Sequence, residues 1–135
     1  VHIQRLFALS GLLACFMFTA AIVPLTAQAK TKKCLFVSSY HKGYAHADQI
    51  EAGLRDTLKG HCEIRQLDMD TKRRSAKAQI KQSALAAKKI IETWKPDVVV
   101  TADDIAVKYL IEPFYKNKKT PFVFSGLNWT AAEYG

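Results

Sequence analysis

Four short apolar runs, at residues 34–38, 62–67, 97–101 and 122–125, are separated by longer stretches whose apolar residues recur with a helical period. That alternation is the pattern of repeated β-α units feeding a parallel sheet. A strand covered by helices on both sides has no wet face, so it reads as a continuous apolar run. Leu35-Phe36-Val37 and Val98-Val99-Val100 meet that description. Residues 62–67 alternate instead, with Glu63 and Arg65 on one side and Ile64 on the other, as an edge strand does. The expected fold class is α/β, a three-layer open sheet of about four parallel strands with helices on both faces.

The intervening helices differ in clarity. In the second, Ile80, Ala84, Ala87, Ile91 and Trp94 recur at three- and four-residue spacing, while Lys77, Lys81 and Lys88 fall elsewhere. Ser75 or Thr71 is the expected cap, and Pro96 the stop. The first helix runs through Ile50 and Leu54 to Leu58, with Asp48 as its expected cap and Lys59-Gly60 at its end. The third carries Val107, Leu110, Ile111 and Phe114, and Pro113 is expected to kink or end it.

Ahead of the first strand stands a different kind of segment. Residues 6–23 are apolar except for Ser10, Gly11 and Thr19, with Arg5 before them and Pro24 after. Ala27-Gln28-Ala29 then supplies the small residues that a signal peptidase accepts, so residues 1–29 read as a cleaved Sec signal peptide and 30–135 as a single exported α/β lobe. The competing readings are an uncleaved anchor and a lipoprotein processed before Cys15, where Leu12-Leu13-Ala14-Cys15 imitates a lipobox. Export, taken as periplasmic, removes nucleic acid as a partner despite a formal charge of +8, leaving anionic ligands, a membrane surface or plain solubility as its meaning. It also places Cys34 and Cys62 where disulfides form. Each opens an expected strand, so parallel neighbours would bring them within bridging range; two buried thiols on opposite faces are the alternative.

In an open parallel sheet, ligands bind beyond the carboxyl ends of the strands. The loops expected there hold Ser39, Tyr40, His41 and Tyr44; Asp68 to Lys72; Asp103 and Asp104; and Asn128 with Trp129. The first loop is long for a strand-to-helix connection, and its hydroxyls and rings suit hydrogen bonding and stacking, although Tyr40 also suits packing on the first helix. One of Asp103 and Asp104 is expected to cap the following helix, the other to accept hydrogen bonds from a ligand amine or hydroxyl. Trp129 suits either stacking on a ligand or core packing. His41 and His46 with Asp48 complete no recognised metal spacing, so His41 is taken as a hydrogen-bonding group and no metal or cofactor is expected. No strained nucleophile turn is present, which makes catalysis, in the form of a small hydrolase using His41 with Asp103 or Asp104, the minor reading.

The segments Val37-Ser38-Ser39-Tyr40-His41-Lys42-Gly43-Tyr44, residues 101–110, and Pro121-Phe122-Val123-Phe124-Ser125-Gly126-Leu127-Asn128-Trp129 resemble the ABC transporter substrate-binding protein family of the type I periplasmic-binding fold. That resemblance implies a two-lobed clamshell that traps a small-molecule solute and passes it to a membrane permease or, in some relatives, a sensor kinase. Against that pattern, the sequence corresponds to the amino-terminal lobe alone. On this reading the ligand contacts are Ser39, Tyr40, His41, Tyr44, Asp103, Asp104, Asn128 and Trp129. A sensory lobe feeding a membrane histidine kinase is the alternative role.

Overall fold

A computed structural model describes residues 30–128, 130 and 132. The expected signal segment, Cys15 and Trp129 lie outside the described residues. The elements follow in the order β1 (Lys32–Ser38), α1 (Ala45–Thr57), β2 (Cys62–Asp68), α2 (Lys77–Trp94), β3 (Val98–Ala102), α3 (Asp103–Ala106), a π-helical turn (Val107–Ile111), α4 (Glu112–Phe114) and β4 (Phe122–Ser125). All four strands are parallel, in the order β2-β1-β3-β4. The α/β architecture expected from the apolar runs is the one observed, with β2 at an edge.

Side chains alternate across the sheet and divide the core in two. Leu35, Val37 and Val99 face α2, where Ile80, Ala84, Ala87, Ile91 and Trp94 form the buried stripe, joined by Ala106 and Leu110. On the opposite face Phe36, Val100 and Ala102 meet Ile50 and Leu54 of α1 and Ile64 of β2. Full burial of one such aliphatic or aromatic side chain stabilises the fold by about 1.5–3 kcal/mol, so these positions dominate its stability. α1 is locked to β2 by a polar lattice in which Arg55 donates to Glu51 and Gln66, and Gln66 donates to Glu51 and Asp68. Beyond β3, Val107 and Ile111 pack with Phe122 and Phe124 of β4. On the other face of β4, Val123 is 52 % exposed beside α1.

Several local expectations need correction. Neither Ser75 nor Thr71 caps α2; its N-cap is Ala76, and the Thr71 hydroxyl donates instead to the Ser39 carbonyl at 2.7 Å. Nor does Asp48 begin α1. The helix starts at Ala45, and the Asp48 carboxylate reaches back to accept from the Gly43 N–H at 3.0 and 3.1 Å. Lys95, at φ 51°, ends α2 in the left-handed region common at helix C-termini, and Pro96 follows directly.

Pro113 does more than end a helix. It has no N–H for the carbonyl one turn back, and its ring would strike that carbonyl in a regular α-helix. The chain widens through residues 107–111 instead, so that Glu112 N–H donates to the Val107 carbonyl five residues earlier.

Cys34 and Cys62 are joined, with Cα atoms 5.8 Å apart. They are not direct cross-strand partners, because β1 starts two residues before Cys34: Lys32 lies opposite Cys62 and Cys34 opposite Ile64, so the bridge runs diagonally. It closes a span of 28 residues around α1, which in the chain-entropy model stabilises the fold by about 3–4 kcal/mol. Reducing agent should therefore lower the free energy of urea unfolding by that margin, and with it the midpoint, and Cys62→Ser should remove the response to reductant. An identical midpoint with and without reductant would show that the two thiols are free.

Candidate functional site

The strand order reverses between β1 and β3. From β1 the chain goes outward to β2 and then crosses back to β3, so the loops after β1 and β3 leave the sheet in different directions and open a crevice at their carboxyl ends. Tyr40 and Asp103 stand on its two sides.

Ser39 holds this end together. Its N–H and hydroxyl both donate to the Ala102 carbonyl, at 3.2 and 2.6 Å, and the hydroxyl accepts from Ala106 N–H at 2.9 Å. Its own carbonyl accepts from the N–H and hydroxyl of Thr71, at 3.0 and 2.7 Å. The serine side chain thus lies between the first carbonyl and the fourth N–H of α3, where a regular helix would close its own bond. This corrects two readings. Ser39 is fully buried and its hydroxyl is engaged on both sides, so it positions the loops and presents nothing to a solute. Neither aspartate caps α3, whose N-cap is Ala102 without a side-chain bond.

The two aspartates have different surroundings. Asp104 is tied to the loop after β4, accepting from the Asn128 backbone N–H at 3.1 Å and from its side-chain amide. Asp103 is 5 % exposed and has φ 69°, in the left-handed region that aspartate and asparagine tolerate best after glycine. Its Oδ1 is 3.3 Å from His46 Nε2, while its buried Oδ2 has no hydrogen-bond partner among the described residues. Burial raises the Asp103 pKa above 3.8, opposed by the nearby His46 and reinforced by the Asp104 charge, with Lys72 also opposing it. Gly126, at φ 67°, permits this approach: a Cβ there would lie 3.3 Å from Asp103 Oδ1 and 3.5 Å from His46 Nε2.

Across the crevice the Tyr40 and Tyr44 rings sit 4.8 Å apart, and the Lys72 ammonium lies 4.7 Å from the centre of the first and 5.3 Å from the second. Burial, then the Asp103 charge, then Tyr44 and Asp104, raise the Tyr40 pKa, which places this phenol within electrostatic range of both aspartates. Tyr40, Tyr44, Asp103, Asp104 and Asn128 therefore share one rim. His41 is turned toward the loop after β2, with Nδ1 3.4 Å from Asp70 Oδ1. The Asp70 pKa is lowered chiefly by the Arg73 hydrogen bond at 2.7 Å.

Two members of the rim were absent from the sequence-derived site. Lys72 belongs to the loop after β2, which was assigned to the right end of the sheet without a residue being singled out. His46, in sequence an exposed loop histidine better suited to hydrogen bonding than to metal coordination, stands beside Asp103; among the described residues no group of three or more His, Cys, Asp or Glu could hold a metal ion. Among the same residues no helix is long and apolar enough to cross a membrane. No family model matches the chain, and no curated protein or solved structure matches it.

The buried Asp103 gives a signed prediction. A carboxyl whose pKa rises on folding costs stability when ionised, and the cost vanishes as the pH falls through the raised value toward 3.8. Asp103→Asn keeps a residue suited to left-handed backbone. It should raise Tm at neutral pH, and the gain should shrink on acidification toward 3.8; a gain independent of pH would contradict it. Ser39→Ala, by contrast, should destabilise by about 1–3 kcal/mol in urea unfolding, because it strands a buried N–H.

Proposed function

We propose that this chain is the amino-terminal lobe of an exported, periplasmic solute-binding component of an ABC-type transport system, holding one side of a small polar solute that a membrane permease receives. The reading rests on the site more than on the fold, because parallel α/β sheets serve many functions. Its main support is Asp103 Oδ2, a buried carboxylate oxygen with no partner among the described residues, at the switch point of the sheet. Leaving such an atom unpaired is expensive, and an amine or hydroxyl donor from a solute satisfies it.

The surroundings of Asp103 suit capture better than chemistry. Tyr40 and Tyr44 offer ring faces and hydroxyls, and Lys72, held over those faces, balances the aspartates. Asp104 and Asn128 are engaged with one another and set the position of the β4 loop. The rim thus combines an acceptor, a cation and two aromatic surfaces, groups that can fix the orientation of a small polar solute. The resemblance of the three loop segments to substrate-binding proteins of ABC transporters supports the same role.

Thermal-shift screening against amine-bearing and polyhydroxylated solutes tests this. A true ligand at a hundredfold excess over Kd should raise Tm by roughly 10 °C or more. Asp103→Asn and Tyr40→Ala should each weaken binding by at least about tenfold. If no solute of either class shifts Tm, or if Asp103→Asn binds as wild type does, the assignment fails.

A further inference from the structure

A second concave feature lies away from the rim, on the outer side of the helical layer. It is a groove of about 490 Å³ between α2 and the segment containing the π-helical turn. Along one wall Lys77, Lys81 and Leu85 follow each other at four-residue spacing, immediately beside the buried stripe that begins at Ile80. Along the other stand Lys108 and Glu112, with Phe114 at the end. Leu85 is 53 % exposed, one of two large apolar side chains so open to solvent among the described residues, and it lines the groove together with Phe114.

Three independent features single this surface out. First, Lys77, Lys81 and Lys108 enter no ion pair among the described residues, whereas Arg55 and Arg73 elsewhere each hold a carboxylate. Three lysines against the single Glu112 leave the groove positive. Second, apolar side chains share the lining and Leu85 is open to solvent, so a purely charged ligand would leave it uncovered. Third, the opposite wall is built on the π turn forced by Pro113, and single-turn π bulges inside helices concentrate at functional sites.

We propose that this groove is a docking site for an acidic amphipathic helix of a partner protein. Its two walls are helical, so a third helix packs between them with its side chains in their grooves. Lys77 and Lys81 are one turn apart, about 6 Å along the axis, which matches carboxylates at i and i+4 on the incoming helix. An apolar residue one turn further on then reaches Leu85 and Phe114. A flat anionic membrane would meet the lysine tips and leave the concave floor uncovered.

The test uses the full chain and a fluorescent helical peptide of roughly 12 residues, with glutamates one turn apart and a leucine one turn beyond. Anisotropy should show saturable binding that weakens as NaCl rises. Lys77→Glu combined with Lys81→Glu, and separately Leu85→Ser, should each weaken it at least about tenfold, while Lys59→Glu beyond α1 should not. Amide shifts in a titration should concentrate at residues 77–85 and 108–114. A peptide with lysines replacing the glutamates should not bind. Absence of binding by the acidic peptide, equal loss with Lys59→Glu, or capture of phosphatidylglycerol vesicles without the peptide would each overturn the proposal. Solute binding at the rim is unaffected by these outcomes, so the two readings stand or fall separately.

Discussion

The contacts of one buried serine hold the functional end of the sheet in place. Ser39 joins the β1 loop to the end of β3 through Ala102, to α3 through Ala106, and to the β2 loop through Thr71. Three loops that leave three strands are thereby fixed relative to each other by short-range bonds within the interior. Serine meets the geometry because its hydroxyl donates and accepts at once. A larger polar side chain would not fit between a helix carbonyl and an N–H of the same turn.

That fixed frame makes the inequality of the two adjacent aspartates possible. Asp104 finds two donors in Asn128 and is a structural link between the loops after β3 and β4. Asp103, one residue earlier, lies in the left-handed region and is buried, with His46 beside Oδ1 and, among the described residues, no hydrogen-bond partner for Oδ2. Left-handed backbone and a buried acceptor with no partner among the described residues both cost stability, and here they coincide at the switch point of the sheet. Gly126 shares in that arrangement, since any side chain there would crowd Asp103 and His46.

Much of the fold was legible because strand burial writes itself as composition. The Val98-Val99-Val100 run and the stripe from Ile80 to Trp94 correspond directly to β3 and to the buried face of α2. Helix caps were not legible. For Asp103 and Asp104 the local rule that an acidic residue before a helix caps it failed because the group that satisfies α3, Ser39, is 67 positions away from its partner Ala106. The same separation hid the role of Ser39, which looked like one more polar loop residue. Lys72 was overlooked for a related reason: a lysine in sequence signals solvent, and only the packed loops show its ammonium resting against two tyrosine rings.

The two margins of the sheet are chemically unlike. β2 ends one side with Glu63 and Arg65 alternating around Ile64, and Arg65 folds over the Trp94 ring at 4.3 Å. β4 ends the other with Phe122-Val123-Phe124-Ser125, uncharged throughout and paired with β3. Charges on a margin repel an incoming strand, whereas a plain apolar margin templates one. The charged β2 margin is therefore the side of this sheet that resists annealing to a further strand.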